Sequence, residues 1–217
     1  MKKLVVIHTT PATLGFIGAL VGELLPGCQV SNLLDDSILP EINREGGITP
    51  GVRARLYTLL ELAQTIRPDA ILCACSSIGG VMEEGATFCT VPVLRIDGPM
   101  AENAVRESEN IAVLATLSST LDPTCDLLRR KAAAMGKEVC LCGDVIAGAG
   151  ALLSAGKAEE YDRLVADAIL TKLQTNAVIL LAQASMARCM HLIPEELRGR
   201  VFTSPRTGVA QLCNYGS

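Results

Sequence analysis

Residues 69–80 read DAILCACSSIGG, an apolar run that climbs to Cys75 and then meets two hydroxyls and two glycines. A thiol placed where a buried run turns small and polar can move a proton or attack as a nucleophile, because the thiolate is the reactive form. At a strand end that opens a helix, unpaired N–H groups and the positive end of the dipole favour that thiolate, so the position is expected to lower the Cys75 pKa. Ser76 and Ser77 supply hydroxyls, and Gly79 and Gly80 let backbone amides approach an anion. The plainer reading is a thiol that only packs, since free cysteine is among the most buried residue types.

Three other apolar runs end in the same way, at His8-Thr9-Thr10, at Thr116 through Ser118, Ser119 and Thr120, and at Gln183-Ala184-Ser185. Their donors are neutral, a set that suits carboxylates held without arginine. Removing a proton beside a carboxylate creates an enolate-like anion, and each well-placed donor aimed at such charge is worth about 3–4 kcal/mol. His8 can be read as a proton carrier or as a histidine bonded to its own loop. Asp36 and Asp144 read as solvated or capping carboxylates, and Arg95 and Asp97 follow a run without an evident role. Cys73/Cys75 and Cys140/Cys142 form C-x-C pairs, whereas C-x-x-C is the usual zinc spacing, so both are expected to pack in the core and no metal site is expected. HTTPAT has the hydroxyl content of a flavin phosphate loop without its glycine-rich turn, and no cofactor is expected.

Eight apolar runs, at 3–8, 28–33, 70–75, 92–96, 110–115, 138–142, 177–182 and 200–203, could carry these groups. Most are unbroken rather than alternating, as in strands of a parallel sheet covered on both faces. Between them Val52, Leu56, Leu59, Leu60 and Ala63, and then Tyr161, Leu164, Val165, Ala168 and Ile169, recur at helical spacing. The alternation makes the fold class α/β. A shift of 108 residues lays the halves on each other without gaps: LVVIHTT on AVLATLS, NLLDDSI on CLCGDVI, AILCACSS on VILLAQAS, VPVLRI on GRVFTS. Asp36 then matches Asp144, and Cys75 matches Gln183. This internal duplication divides the chain into lobes 1–107 and 108–217, with the stretch 98–110 crossing between them and the final residues able to pack back on the first. Ligands of parallel sheets sit beyond the carboxyl ends of the strands, so lobes that face each other would gather all four polar ends around one cleft.

The totals set limits. Nineteen basic against 23 acidic residues give a net charge of −4, with no basic cluster and no Trp, which argues against nucleic acid as a partner. No run reaches the length of a spanning helix, so no membrane partner is expected. Nine cysteines without a small secreted framework read as reduced thiols of a cytoplasmic protein.

On DAILCACSS, IAVLATLSST and the paired lobes, the chain resembles the aspartate/glutamate racemase superfamily, which includes hydantoin racemases, maleate isomerases and arylmalonate decarboxylases. The resemblance covers essentially the whole chain. It implies two pseudo-symmetric flavodoxin-like lobes with parallel sheets, an active site in the cleft between them, a small carboxylic acid as substrate, and a homodimer or higher homo-oligomer. It also implies cofactor-independent, cysteine-mediated proton transfer next to a carboxylate, with Cys75 catalytic and the hydroxyls and amides of the other strand ends binding substrate. The family's second cysteine motif falls on Leu181-Ala182-Gln183-Ala184, and glutamine is neither acid nor base near neutral pH. A symmetric two-base racemase is therefore not the only expectation. Decarboxylation of a malonate-like acid needs one proton donor, and a catalytically silent module could bind the same acid. Cys189 lies six residues past Gln183 and would reach the cleft only through a displaced turn.

Overall fold

The computed structural model describes residues 1–215. It divides into two compact units, Met1–Gly98 with residues 205–215, and Pro99–Ser204. Each holds one four-stranded parallel sheet flanked by helices.

In the first unit the strands are β1 (Lys3–His8), β2 (Gln29–Leu34), β3 (Ala70–Cys73) and β4 (Val93–Arg95), ordered β2-β1-β3-β4. Val5, Ile7, Ile71 and Cys73 face one core with Ile38, Ile42, Val52, Leu56 and Leu60. These last come from helices α2 (Ile38–Glu45) and α3 (Pro50–Thr65). Leu4, Val6, Ala70 and Leu72 face the other core with Ile17 and Val21 of α1 (Leu14–Leu24), and with Val209 and Leu212. Burial on both faces is why these strands read as unbroken apolar runs. Helix α3 starts where Thr49 accepts the Val52 N–H at 3.1 Å and Pro50, whose missing N–H costs nothing there, takes the first position. The short helix α4 (Gly79–Gly85) follows β3.

In the second unit β5 (Asn110–Ala115), β6 (Cys140–Val145), β7 (Val178–Leu181) and β8 (Val201–Phe202) take the order β6-β5-β7-β8. Ala112, Leu114, Ile179 and Leu181 pack against Ala149, Tyr161, Val165 and Ile169. Those residues lie on α7 (Ala149–Ser154) and α8 (Ala158–Lys172). Ile111, Val113, Ala115, Val178 and Leu180 pack against Met100, Ala104, Leu127 and Leu128. Those lie on α5 (Gly98–Glu107) and α6 (Ser118–Ala134). Among the described residues no helix is long and apolar enough to cross a membrane.

Every expected run is a strand, but the correspondence between the sheets is not gapless. Leu4 pairs with Ala70, and Ile111 with Val178, so the third strands match at 178 − 70 = 108 residues and the first strands at 111 − 4 = 107. Ile7 pairs with Leu33, and Leu114 with Asp144, which sets the second strands 144 − 33 = 111 apart. The expected match of Asp36 with Asp144 is thereby corrected: Asp36 follows β2, whereas Asp144 lies within β6 and pairs with Lys172 at 3.0 Å. The connecting helices differ in length, 11 residues for α1 and 17 for α6, and that absorbs the shift. The expected packing of both C-x-C pairs also needs correction. Cys73 is buried, but Cys140 and Cys142 are exposed because β6 is an edge strand. No cluster of three or more metal-ligating side chains occurs among the described residues.

Candidate active site

In a parallel sheet of order 2-1-3-4 the strand order reverses between the first and third strands, and their carboxyl ends open the crevice where ligands bind. In the first unit those ends carry His8-Thr9-Thr10 and Cys75-Ser76-Ser77. Cys75, a half-buried residue with extended backbone, stands at the N-cap of the short 3₁₀ helix Ser76–Ile78. The sulfur faces the Thr9 hydroxyl, the Ser77 N–H and hydroxyl, and the Ile78 N–H. Thr9 Oγ1 is buried and faces the Cys75 sulfur, and it closes no other hydrogen bond among the described residues.

Burial pushes the Cys75 thiol above its ordinary range, and those four donors pull it back only in part. The sequence-based expectation of a lowered pKa is thus overturned: desolvation outweighs the helix end. The site holds a protonated thiol whose anion has donors waiting. Cys73 stands apart, fully buried, with its thiol donating to the Cys75 carbonyl at 3.3 Å.

His8 is buried and bound on both sides. Its Nδ1 lies 2.7 Å from Thr13 Oγ1 and its Nε2 lies 3.0 Å from Asn32 Oδ1. Burial lowers its pKa and the Asn32 bond offsets part of that, so the ring is held neutral. Thr10 Oγ1 accepts the Ala12 N–H at 3.3 Å and caps the turn. Ser76 is buried beside Ser77. Thr9, Cys75 and Ser77 therefore converge, while His8 and Thr10 brace the loop beneath them.

In the second unit the corresponding ends carry Thr116 and Gln183. Gln183 caps the 3₁₀ helix Ala184–Leu192, as Cys75 caps its own. Its Oε1 accepts the Thr116 N–H at 2.9 Å, and its Nε2 donates to Thr120 Oγ1 at 3.1 Å. Thr116 and Thr120 are buried, Ser118 is exposed at the start of α6, and the Ser119 hydroxyl is buried without a partner among the described residues. Ala184 and Ser185 are half-buried. Cys189 is not part of this group. It is fully buried, its thiol donates to the Met186 carbonyl at 2.9 Å, and burial pushes it up to about 12.

Two features escaped the sequence. Arg95 and Asp97, at the end of β4, form a buried pair: Nε donates to Asp97 Oδ1 at 2.8 Å and Nη2 to Oδ2 at 2.7 Å, while Nη1 reaches Glu83 at 3.1 Å. The guanidinium lies against Gly79, where a Cβ would stand 2.3 Å from Arg95 Cζ, so a larger residue at the start of α4 would displace the buried Arg95. Arg and Asp two residues apart after a strand was the available signal. The second is Tyr161, which the periodicity assigns to the apolar face of α8. Its ring is fully buried in the core, and its hydroxyl faces Ser185 and Thr116, with no hydrogen bond of normal geometry closed among the described residues.

The fold has solved counterparts. A glutamate racemase isoform from Bacillus anthracis superposes with a TM-score of 0.77 at 12% identity, covering 98% of this chain and 80% of that one. The fold is the one seen in solved glutamate and aspartate racemases. The aspartate racemase of Picrophilus torridus gives a TM-score of 0.75 at 15% identity, covering 99% and 94% of the two chains. The allantoin racemase of Klebsiella pneumoniae gives 0.71 at 17%, covering 99% and 87%. No family model matches the chain. No curated protein matches it either. At these identities the racemase fold is what the solved structures share with this chain, and Cys75 stands at a strand end of that fold.

Proposed function

We propose that the protein is a cofactor-independent enzyme of the isomerase or racemase type, in which Cys75 transfers a proton next to the carboxylate of a small acid. The observation that carries this reading is the Cys75 sulfur at the switch point of the first sheet, faced by donors from Thr9, Ser77 and Ile78. As base, the thiolate takes the α-proton, the C–H electron pair moves into the adjacent carboxylate, and neutral donors hold the developing charge. As acid, the thiol returns the proton to that carbon. Thr9, Ser76 and Ser77, beside the sulfur in the first unit, would hold the carboxylate, and Thr116, Thr120, Gln183 and Ser185 form a second set of polar groups suited to an acid at the strand ends of the other unit. The glutamate, aspartate and allantoin racemases of like fold favour substrates with an acidic hydrogen beside a carbonyl.

A second reading has its own support. Burial keeps the Cys75 thiol protonated, and Gln183 offers an amide at the capping position of the second unit. One acid and no second base suit decarboxylation of a malonate-like acid, in which carbon dioxide leaves and Cys75 protonates one face of the carbanion.

The test is incubation of candidate acids in deuterated water with the α-position followed by NMR. Exchange with loss of handedness supports isomerisation. Carbon dioxide release with single-handed deuteration supports decarboxylation. Cys75→Ala is expected to lower either turnover at least a hundredfold, the low end for a positioned acid or base. Turnover that survives this change rejects both readings, and saturable binding without exchange by the unaltered chain indicates a silent binding module.

A further inference from the structure

We propose that Tyr161 is a positioning residue of the second unit, its phenol orienting the Ser185 and Thr116 hydroxyls so that the ends of β5 and β7 present hydrogen-bond donors to a carboxylate. This rests on reading those strand ends as an acid-binding site, and it concerns a residue that touches no substrate itself.

The ring needs no such role. Tyr161 is fully buried against Ala112, Leu114, Val165, Ile179 and Leu181, and phenylalanine would fill that space equally well. The hydroxyl is the anomaly. It is buried, it closes no hydrogen bond among the described residues, and it faces two further hydroxyls at the polar end of an otherwise apolar core. A buried polar atom left open destabilises the fold, so its retention fits a pairing with the Ser185 and Thr116 hydroxyls that it faces.

Proton counting gives the direction. Burial pushes the phenol above its ordinary range, so it keeps its single proton and acts as a donor. A serine hydroxyl that accepts from the phenol must send its own proton elsewhere, and Ser185 is half-buried at the start of the 3₁₀ helix, with a side open. Gln183 has the same polarity. Its oxygen is occupied by the Thr116 N–H, while its amide nitrogen carries two protons and gives one to Thr120. What remains at this end is donor capacity, which suits an anion.

The experiment uses the full chain and two probes, malonate and aspartate, with calorimetric affinities for the unaltered protein, Tyr161→Phe, Ser185→Ala and the double variant. Each single change is expected to weaken binding roughly threefold to tenfold, the value of one neutral hydrogen bond. The double variant should be no weaker than the worse single one, because both remove the same oriented donor. Tyr161→Phe should unfold no earlier on heating than the parent. Unchanged affinity in Tyr161→Phe, additive losses in the double variant, or binding of neither probe by the unaltered chain overturns the proposal. Deuterium exchange at the aspartate α-carbon is read in the same samples. Coupled losses without exchange sustain the role of Tyr161 and count against the Cys75 reading, while exchange with unchanged affinity in Tyr161→Phe does the reverse.

Discussion

Arg95 holds Asp97 through two parallel hydrogen bonds, with both side chains buried and the guanidinium lying against Gly79. Removing one partner of such a pair leaves an uncompensated charge out of water, at a cost of about 3–5 kcal/mol. Asp97→Ala should therefore lower the urea unfolding free energy by about that amount. Arg44→Ala, which breaks an exposed pair with Glu45, should change it by less than about 1 kcal/mol. Gly79→Ala should destabilise as well, because its Cβ displaces the guanidinium. Equal effects at Asp97 and Arg44 would remove the buried pair from any role in holding α4 under Cys75.

Among the described residues the Thr9 hydroxyl has no partner other than the Cys75 sulfur it faces. Thr9→Val keeps the shape and removes that donor, which raises the thiol further. Alkylation of Cys75 at neutral pH, followed by mass spectrometry of its peptide, should slow roughly threefold to tenfold. Cys140 and Cys142, exposed on β6 in the other unit, provide the internal control and should react at unchanged rates. A Cys75 rate that stays put would mean that the hydroxyl does not hold the thiolate.

His8 makes folding sensitive to acid. Burial is the main cause of its lowered pKa, so the folded chain resists the proton while the unfolded chain accepts it near 6.5. The neutral ring's contribution is complete above about pH 6.5 and is lost as the pH falls toward the lower folded-state value. In that window it steepens the loss of stability by up to about 1.4 kcal/mol per pH unit. His8→Gln should flatten the slope between pH 7 and 5 in thermal or urea unfolding. A slope identical to the parent's would place the acid sensitivity elsewhere.

Gln183 occupies the Thr116 N–H, and no other side chain takes it among the described residues. Gln183→Leu leaves that buried donor open and should cost about 1–3 kcal/mol in unfolding. Alkylation of Cys75 in the first unit should not change. A stability unaffected by the change would show that the amide points to ligand rather than to its own backbone.

The central strands β1, β3, β5 and β7 were legible because both of their faces are buried, which writes them as unbroken apolar runs between helical stretches. The same uniformity hid their register. A half-exposed strand alternates, and a one-residue slip would turn its apolar side to water. Runs such as LVVI and IAVLA carry no such phase, so a shift of 107 in the first strands reads like one of 108. With the ladder in place Thr9, not His8, corresponds to Thr116. The thiol's place at the end of β3 followed from sequence alone. Its raised pKa did not, because desolvation depends on what packs around the sulfur. Tyr161 was legible as a core ring. Its hydroxyl was not, since only the packing of α8 across the ends of β5 and β7 decides what that oxygen meets. Arg95 and Asp97 were visible as an unplaced charged pair after β4, and only the contact with Gly79 reveals how tight the space there is.

The core of the first unit includes Val209 and Leu212, from a segment that follows the entire second unit in sequence. During synthesis residues 99–204 have all of their own sheet before that segment emerges from the ribosome. The unit that begins the chain is therefore the later of the two to gain its full core, and until then the apolar surface around Leu4, Val6 and Ile17 lacks part of its cover.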